Sequence, residues 1–209
     1  MKSLNQPNYI TKRENSLSLD GEWRFIWRDE KTSVKDLVFP YTAHLPNSVQ
    51  YCLFEAGLLP HPYMSDSAEA YEWVDHKVWY FKREFFLPKK RMKDRVFLCC
   101  DGISYYSTLY VNGEEIGAHE GMFGGPYINI EQYLIPDAVN ELIFEVVAPS
   151  RFPVKSMAKF PRKEIYPWAV DDRYDGKYFV VMGIWREVRL EFCDKIHLNR
   201  PFISTVRCN

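Results

Sequence analysis

The chain has 209 residues, is 46% hydrophobic and 16% aromatic, and carries a formal net charge of −1. That length suits one large domain, or one domain with a short extension. A balance so near neutral argues against a dedicated binder of nucleic acid or acidic membrane, which shows a basic excess. No apolar run approaches the roughly 20 residues that span a bilayer.

The opening "MKSLNQPNYITKRENSLSLD" lacks the apolar centre of a signal peptide. The compartment stays open between cytoplasm and export with a signal removed. The first strand signal is "GEWRFIW", which puts Trp23, Phe25 and Trp27 on one face and Glu22, Arg24 and Ile26 on the other. A helix follows: Asn47 or Ser48 caps a stripe of Val49, Cys52, Leu53 and Ala56, and Gly57 ends it. Residues 58–77 show no strand pattern. Then "KVWYFKREFFLP" alternates Trp79, Phe81, Arg83 and Phe85 against Val78, Tyr80, Lys82 and Glu84 before stopping at Pro88.

"RVFLCCD", "STLYV", "ELIFEVV" and "REVRLEF" read as further short strands. Many short strands at loop-length spacing predict an all-β sandwich with one short helix and two long loops. Its inward faces take Trp23, Phe25, Leu109, Val111, Leu142, Phe144, Val188 and Leu190. Asn112-Gly113, between "TLYV" and "EEIG", is a type I′ hairpin signal.

The glycine-rich "GMFGGP" after this hairpin invites a phosphate-cradle reading. Such a cradle sits at a strand-to-helix junction, where backbone N–H groups and the helix N-terminus face the anion. Here Pro126 and the extended "YINI" follow. The glycines are read as permitting a tight strand crossing, with His119 hydrogen-bonded to backbone nearby.

The five histidines never fall as HxH or HxxxH, so no metal site is expected from local spacing. No cofactor is expected either. Cys52, Cys99, Cys100, Cys193 and Cys208 show no CxxC spacing and read as free, mostly buried thiols. Cys99 and Cys100 are adjacent in a strand and should point to opposite faces.

The second long loop, residues 149–177, carries four prolines and no sustained periodicity. Connections of this length in a compact domain are usually functional or disordered. Phe152, Phe160, Tyr166, Trp168 and Tyr174 weigh against disorder. Its "WAVDDRYDG" offers Trp168, Asp171, Asp172 and Asp175, an aromatic ring for stacking on a sugar face and carboxylates to accept hydroxyl hydrogen bonds. The competing reading makes Trp168 a packing anchor and the aspartates a solvated surface, paired with Arg162, Lys163 and Arg173.

Together these stretches carry a resemblance. "LYVNGEEIGAHEGMFGGPYINI" resembles the N-terminal jelly-roll, galactose-binding-like domain of glycoside hydrolase family 2, in its VNG hairpin, its G-x-H-x-G and the proline before a short strand. "SLDGEWRF" is similar to the family's first strand, "NELIFEVVAP" to its N-x-L strand, and "VMGIWREVRLEF" to its closing strand. The likeness covers nearly all of residues 16–192 in the family's order. "LPNSVQYCLFEAGLLPHPY" further resembles the β-mannosidase-like subgroup, whose A-G-L-x-P-x-P extension galactosidase- and glucuronidase-like members generally lack.

The resemblance implies a jelly-roll sandwich at residues 16–193, preceded by an extension (1–15) and followed by a linker into an immunoglobulin-like domain (194–209). It also implies a retaining exo-β-glycosidase parent, β-mannosidase- or β-galactosidase-like, whose paired carboxylates, about 5–5.5 Å apart, lie on a TIM barrel elsewhere. This chain would be the non-catalytic first domain. Its partners would be the other domains and, in the whole enzyme, a terminal β-linked sugar.

β-Mannosidases of the family carry Trp-Asp-Trp-Gly in the loop before the closing strand. Counting back from Gly183 places Arg173, Tyr174, Asp175 and Gly176 in that register, and only Gly176 matches. That departure puts mannose specificity in doubt. Arg186 in "GIWREV" is expected to tie the closing strand to the core. A stand-alone carbohydrate-binding module and a purely structural interdomain scaffold remain the alternative readings, since fold alone does not separate them.

Overall fold

The computed structural model describes residues 15–62, 64–148 and 182–196. The strands in chain order are β1 (Ser16–Ser18), β2 (Gly21–Arg28), β3 (Tyr41–Leu45), β4 (Val78–Leu87), β5 (Arg95–Cys100), β6 (Ile103–Ser104) and β7 (Tyr106–Val111). They continue with β8 (Glu114–Glu120), β9 (Tyr127–Asn129), β10 (Ala138–Val147), β11 (Gly183–Ile184) and β12 (Val188–Cys193), while α1 (Val49–Glu55) follows β3. A six-stranded sheet runs β3-β2-β4-β10-β7-β8, a four-stranded sheet runs β1-β12-β5-β9, and β11 pairs with β6. Every strand pairing among these is antiparallel.

The two larger sheets enclose one apolar core. All eight residues expected on inward faces, from Trp23 to Leu190, are buried in it. Each fully buried apolar side chain of this size is worth about 1.5–3 kcal/mol. The buried indoles also find partners: Trp23 Nε1 donates to the Leu19 carbonyl and Trp79 Nε1 to the Val74 carbonyl, both at 2.8 Å.

Helix α1 forms as the capping pattern predicts. The Ser48 hydroxyl accepts from the Tyr51 N–H at 3.2 Å, and Val49, Cys52 and Leu53 face the core. At the β7–β8 hairpin, Asn112 and Gly113 take φ of 51° and 81°, the positive values a type I′ turn demands. Asn112 does more than turn. Its side chain accepts from the Glu141 N–H and donates to the Tyr133 carbonyl and to Asn140 Oδ1, locking the hairpin to β10.

Residues 58–77 depart from the loop expected there. Two 3-10 segments, Ser65–Tyr71 and Val74–His76, bury Tyr71 and Val74 in the core. Trp73 joins Trp27 and Trp79 in an aromatic cluster with centroids 5.3–5.7 Å apart. The turns pack aromatic residues that carry no helical or strand period.

The thiols follow the adjacent-strand argument. Cys100 lies in the core, and Cys99 is buried on the opposite face of β5 beside Arg189 of β12. Cys52, Cys99, Cys100 and Cys193 are free, and burial pushes the Cys100 thiol up to about 12. Cys208 lies outside the described residues.

Candidate functional site

Trp168, Asp171, Asp172 and Asp175 lie outside the described residues, as does the rest of "WAVDDRYDG". The frame that launches and receives this connection is described. Ala148, just past β10, and Met182, just before β11, are both buried in the core. Two backbone bonds then rivet the returning chain to the start of α1: Asn47 N–H to the Ile184 carbonyl at 2.6 Å, and Val49 N–H to the Met182 carbonyl at 2.8 Å. Both feet of the connection are buried in the core, and hydrogen bonds hold the returning one as well. Fixed ends of this kind suit a connection that presents side chains to a partner.

Beside these feet sits an aromatic platform. The N–H groups of Trp185 and Arg186 both donate to the Gly102 carbonyl, at 3.1 and 3.3 Å, and Trp185 Nε1 donates to the Met122 carbonyl at 3.1 Å. Phe123 stands edge-on to the Trp185 ring at 5.7 Å and is 63% exposed. The Arg186 guanidinium lies 4.4 Å over the same ring. This corrects the expected role of Arg186. Its backbone ties the closing strand, but its side chain is exposed on Trp185, where a cation gains from the ring's negative face.

The cation drawn into the fold is Arg189, whose side chain is only 5% exposed. Its Nη1 lies 2.8 Å from Asp101 and 3.3 Å from Glu187, and its Nε 2.8 Å from Glu191. Burial alone would lower its pKa; hydrogen bonds to Asp101 and Glu191 and the charge of Asp101 outweigh that and raise it. The arrangement compensates charge and leaves no free nucleophile.

The glycine-rich turn has a structural purpose, as expected. A side chain on Gly125 would meet the Cys100 carbonyl oxygen at 2.0 Å, and the Cys100 N–H donates to the Pro126 carbonyl at 3.1 Å. The chain thus crosses β5 at a distance only a hydrogen permits. The extended strand β9 follows, so no helix N-terminus faces an anion here.

His119, on β8, lies beside the Gly121 backbone, which favours its protonated form. Burial is the larger effect and holds the imidazole below its usual range. Its Nε2 has no hydrogen-bond partner among the described residues, so the backbone bond expected there is not formed at this atom. The unfolded chain then takes up a proton near about pH 6.5 while the folded imidazole stays neutral to lower pH. Stability should fall as pH drops through that value and level off below the folded-state pKa. Urea midpoints between about pH 7.5 and 5 should show this decline, and His119→Gln should remove the part due to His119.

A family model described as the glycosyl hydrolase 2 galactose-binding domain-like family matches residues 23–186. The β-mannosidase B of Thermothelomyces thermophilus is 24% identical over 206 residues, covering 91% of this chain and 23% of that protein. The β-mannosidase of Rattus norvegicus is 26% identical, covering 88% and 22%. Among solved structures, a β-D-mannosidase from Dictyoglomus thermophilum superposes with a TM-score of 0.66 at 26% identity, over 86% of this chain and 23% of its own. A Ruminococcus gnavus β-glucuronidase, at 20% identity and a TM-score of 0.56, shares the fold. The chain thus spans less than a quarter of the length of the β-mannosidases it matches. A family match over most of its length shows that this chain belongs to the glycosyl hydrolase 2 galactose-binding domain-like family.

Proposed function

We propose that this chain is the non-catalytic N-terminal domain of a retaining, β-mannosidase-like exo-glycosidase, and that it packs against the catalytic portion to shape the pocket for a terminal sugar. The observation that carries the reading is coverage: β-mannosidases match 83–91% of this chain, while the chain accounts for only 22–23% of their length. Residues 16–193 form the sandwich and 194–209 lead into the next domain. The connection clamped between Ala148 and Met182 reaches the pocket. There Trp168 stacks on the sugar, and Asp171, Asp172 and Asp175 accept its hydroxyls.

In the longer parent, Trp168→Ala and Asp175→Asn should each raise KM for an aryl β-mannoside about tenfold, which is about 1.4 kcal/mol of lost binding. The melting temperature should stay put. A lower melting temperature with unchanged KM would assign both residues to packing instead.

A further inference from the structure

Helix α1 turns an apolar side to solvent. Val49, Cys52 and Leu53 fill the core, so the opposite side of an ordinary surface helix would be polar. It carries Tyr51, which is 36% exposed, and the half-buried Phe54, with Glu55 beside them. Tyr51 and Phe54 meet edge-on at 5.4 Å, and the His61 ring stands edge-on to Phe54 at 4.9 Å and to Tyr51 at 6.0 Å. On either side of His61 in sequence, Leu58 is 37% exposed and Met64 65%. Tyr51, Phe54, Leu58 and Met64 belong to neither of the buried apolar clusters. The rings pack on one another at the surface.

This surface is held in place. The Gly57 N–H donates to the Phe54 carbonyl and the Leu58 N–H to the Leu53 carbonyl, both at 2.9 Å. Further along, the Met64 N–H donates to the His61 carbonyl at 3.2 Å, and the hydroxyl of the core residue Tyr71 donates to the Pro60 carbonyl. A face already ordered before contact loses little entropy on binding. Single exposed apolar residues are normal, but a contiguous group marks an interaction surface. Aromatic residues and Met at its centre, with the charged Glu55 at its edge, match the composition of an interface.

Location and chain length choose the occupant. The bonds from Asn47 to Ile184 and from Val49 to Met182 set α1 beside the returning foot of the connection assigned to the catalytic pocket. A body that receives that connection comes up against α1 as well. This chain accounts for only 22–23% of the β-mannosidases it matches, so more than three quarters of such a protein is available as the cover. A cover on the same polypeptide acts at a high effective concentration, which a second copy of the chain lacks. We propose that the outward side of α1, with Leu58, His61 and Met64, is the face on which the catalytic portion of the parent seats. The proposal rests on the reading of this chain as one domain of a larger glycosidase, and it assigns the residues that make the contact.

Hydroxyl-radical footprinting read by mass spectrometry tests it, because it reports the solvent access of individual side chains. In the dilute chain alone, Tyr51, Leu58 and Met64 should be oxidised; in the longer parent that oxidation should be largely lost. Tyr51→Ser combined with Leu58→Ser, both at side chains more than a third exposed, should leave the melting temperature of the chain unchanged and lower that of the parent. In the parent it should also return oxidation of Phe54 and Met64 towards the level of the chain. The proposal is overturned by equal oxidation in chain and parent, or by protection in the parent that the double substitution leaves intact. Protection of the chain alone that grows with its concentration also overturns it, and gives the face to a second copy. Turnover of 4-nitrophenyl β-mannopyranoside by the same parent samples separates the two readings. Protection in a parent that hydrolyses no glycoside keeps the docking face and removes the glycosidase assignment; full oxidation in an active parent removes the docking face alone.

Discussion

Replacing Gly183 by alanine should cost the domain about 3–5 kcal/mol, a large share of the roughly 5–15 kcal/mol that keeps a domain folded. Two independent penalties meet at this position. Its φ of 132° lies in a region essentially reserved for glycine, worth about 1–3 kcal/mol against any side chain. A Cβ there would also lie 2.8 Å from the Asn47 carbonyl oxygen, 2.9 Å from the Val49 nitrogen and 3.2 Å from the Ser48 Cα. All three are backbone atoms, so no rotamer change relieves the clash. Backing away would break the bonds from Asn47 to Ile184 and from Val49 to Met182 that hold α1 against β11. Gly57 is the control, with a φ of 70° and nothing within 4 Å of its added Cβ. Gly57→Ala carries the backbone strain alone and should cost about 1 kcal/mol. Urea unfolding of both variants should show the gap as a difference in midpoint at constant m-value.

The second large effect is expected at Arg189. Arg189→Met keeps the length of the side chain and its apolar stem but removes the charge. Asp101, Glu187 and Glu191 are then left facing one another around an apolar group, on the outer face of the four-stranded sheet. Breaking a buried ion pair from one side costs about 3–5 kcal/mol. The three carboxylates are a quarter to two-fifths exposed, so the lower end, about 3 kcal/mol, applies. Salt separates repulsion from lost packing: raising it to about 0.5 M should narrow the gap to wild type, because screening weakens exposed like-charge repulsion. Arg186→Met, on the exposed platform, should change stability by less than about 1 kcal/mol.

Much of the fold was legible because period and burial agree where a strand has one wet face. Trp23 and Phe25 on β2, and Leu142 and Phe144 on β10, alternate cleanly and are buried where the alternation puts them. The pattern says less where both faces are covered. "VWYF" at the start of β4 is apolar without interruption, and Val78 and Tyr80 pack into a second cluster beneath Val34, Leu37 and Phe39. That unbroken run was the available sign that the outer face has a lid. Arg186 and Arg189 show a different limit. Both stand in "WREVR", and strand parity cannot say which guanidinium is buried. The choice depends on Asp101 and on the ring of Trp185, contacts made across strands.

The functional reading divides in the same way. Motif order located the family because it samples the whole sandwich. The sugar contacts assigned to Trp168 and its neighbouring aspartates rest on composition and on the clamped feet of their loop.

The most direct measurement is turnover of 4-nitrophenyl β-mannopyranoside and β-galactopyranoside by the purified chain, alone and beside the longer parent protein. Retaining hydrolysis needs two carboxylates about 5–5.5 Å apart, one as acid and one as nucleophile, and these are assigned to the catalytic portion of the parent. The chain alone should release no nitrophenol above the buffer rate, while the parent turns over at least one of the two substrates. Turnover by the chain alone, lost when one of its own carboxylates is replaced by the amide, would contradict a non-catalytic domain.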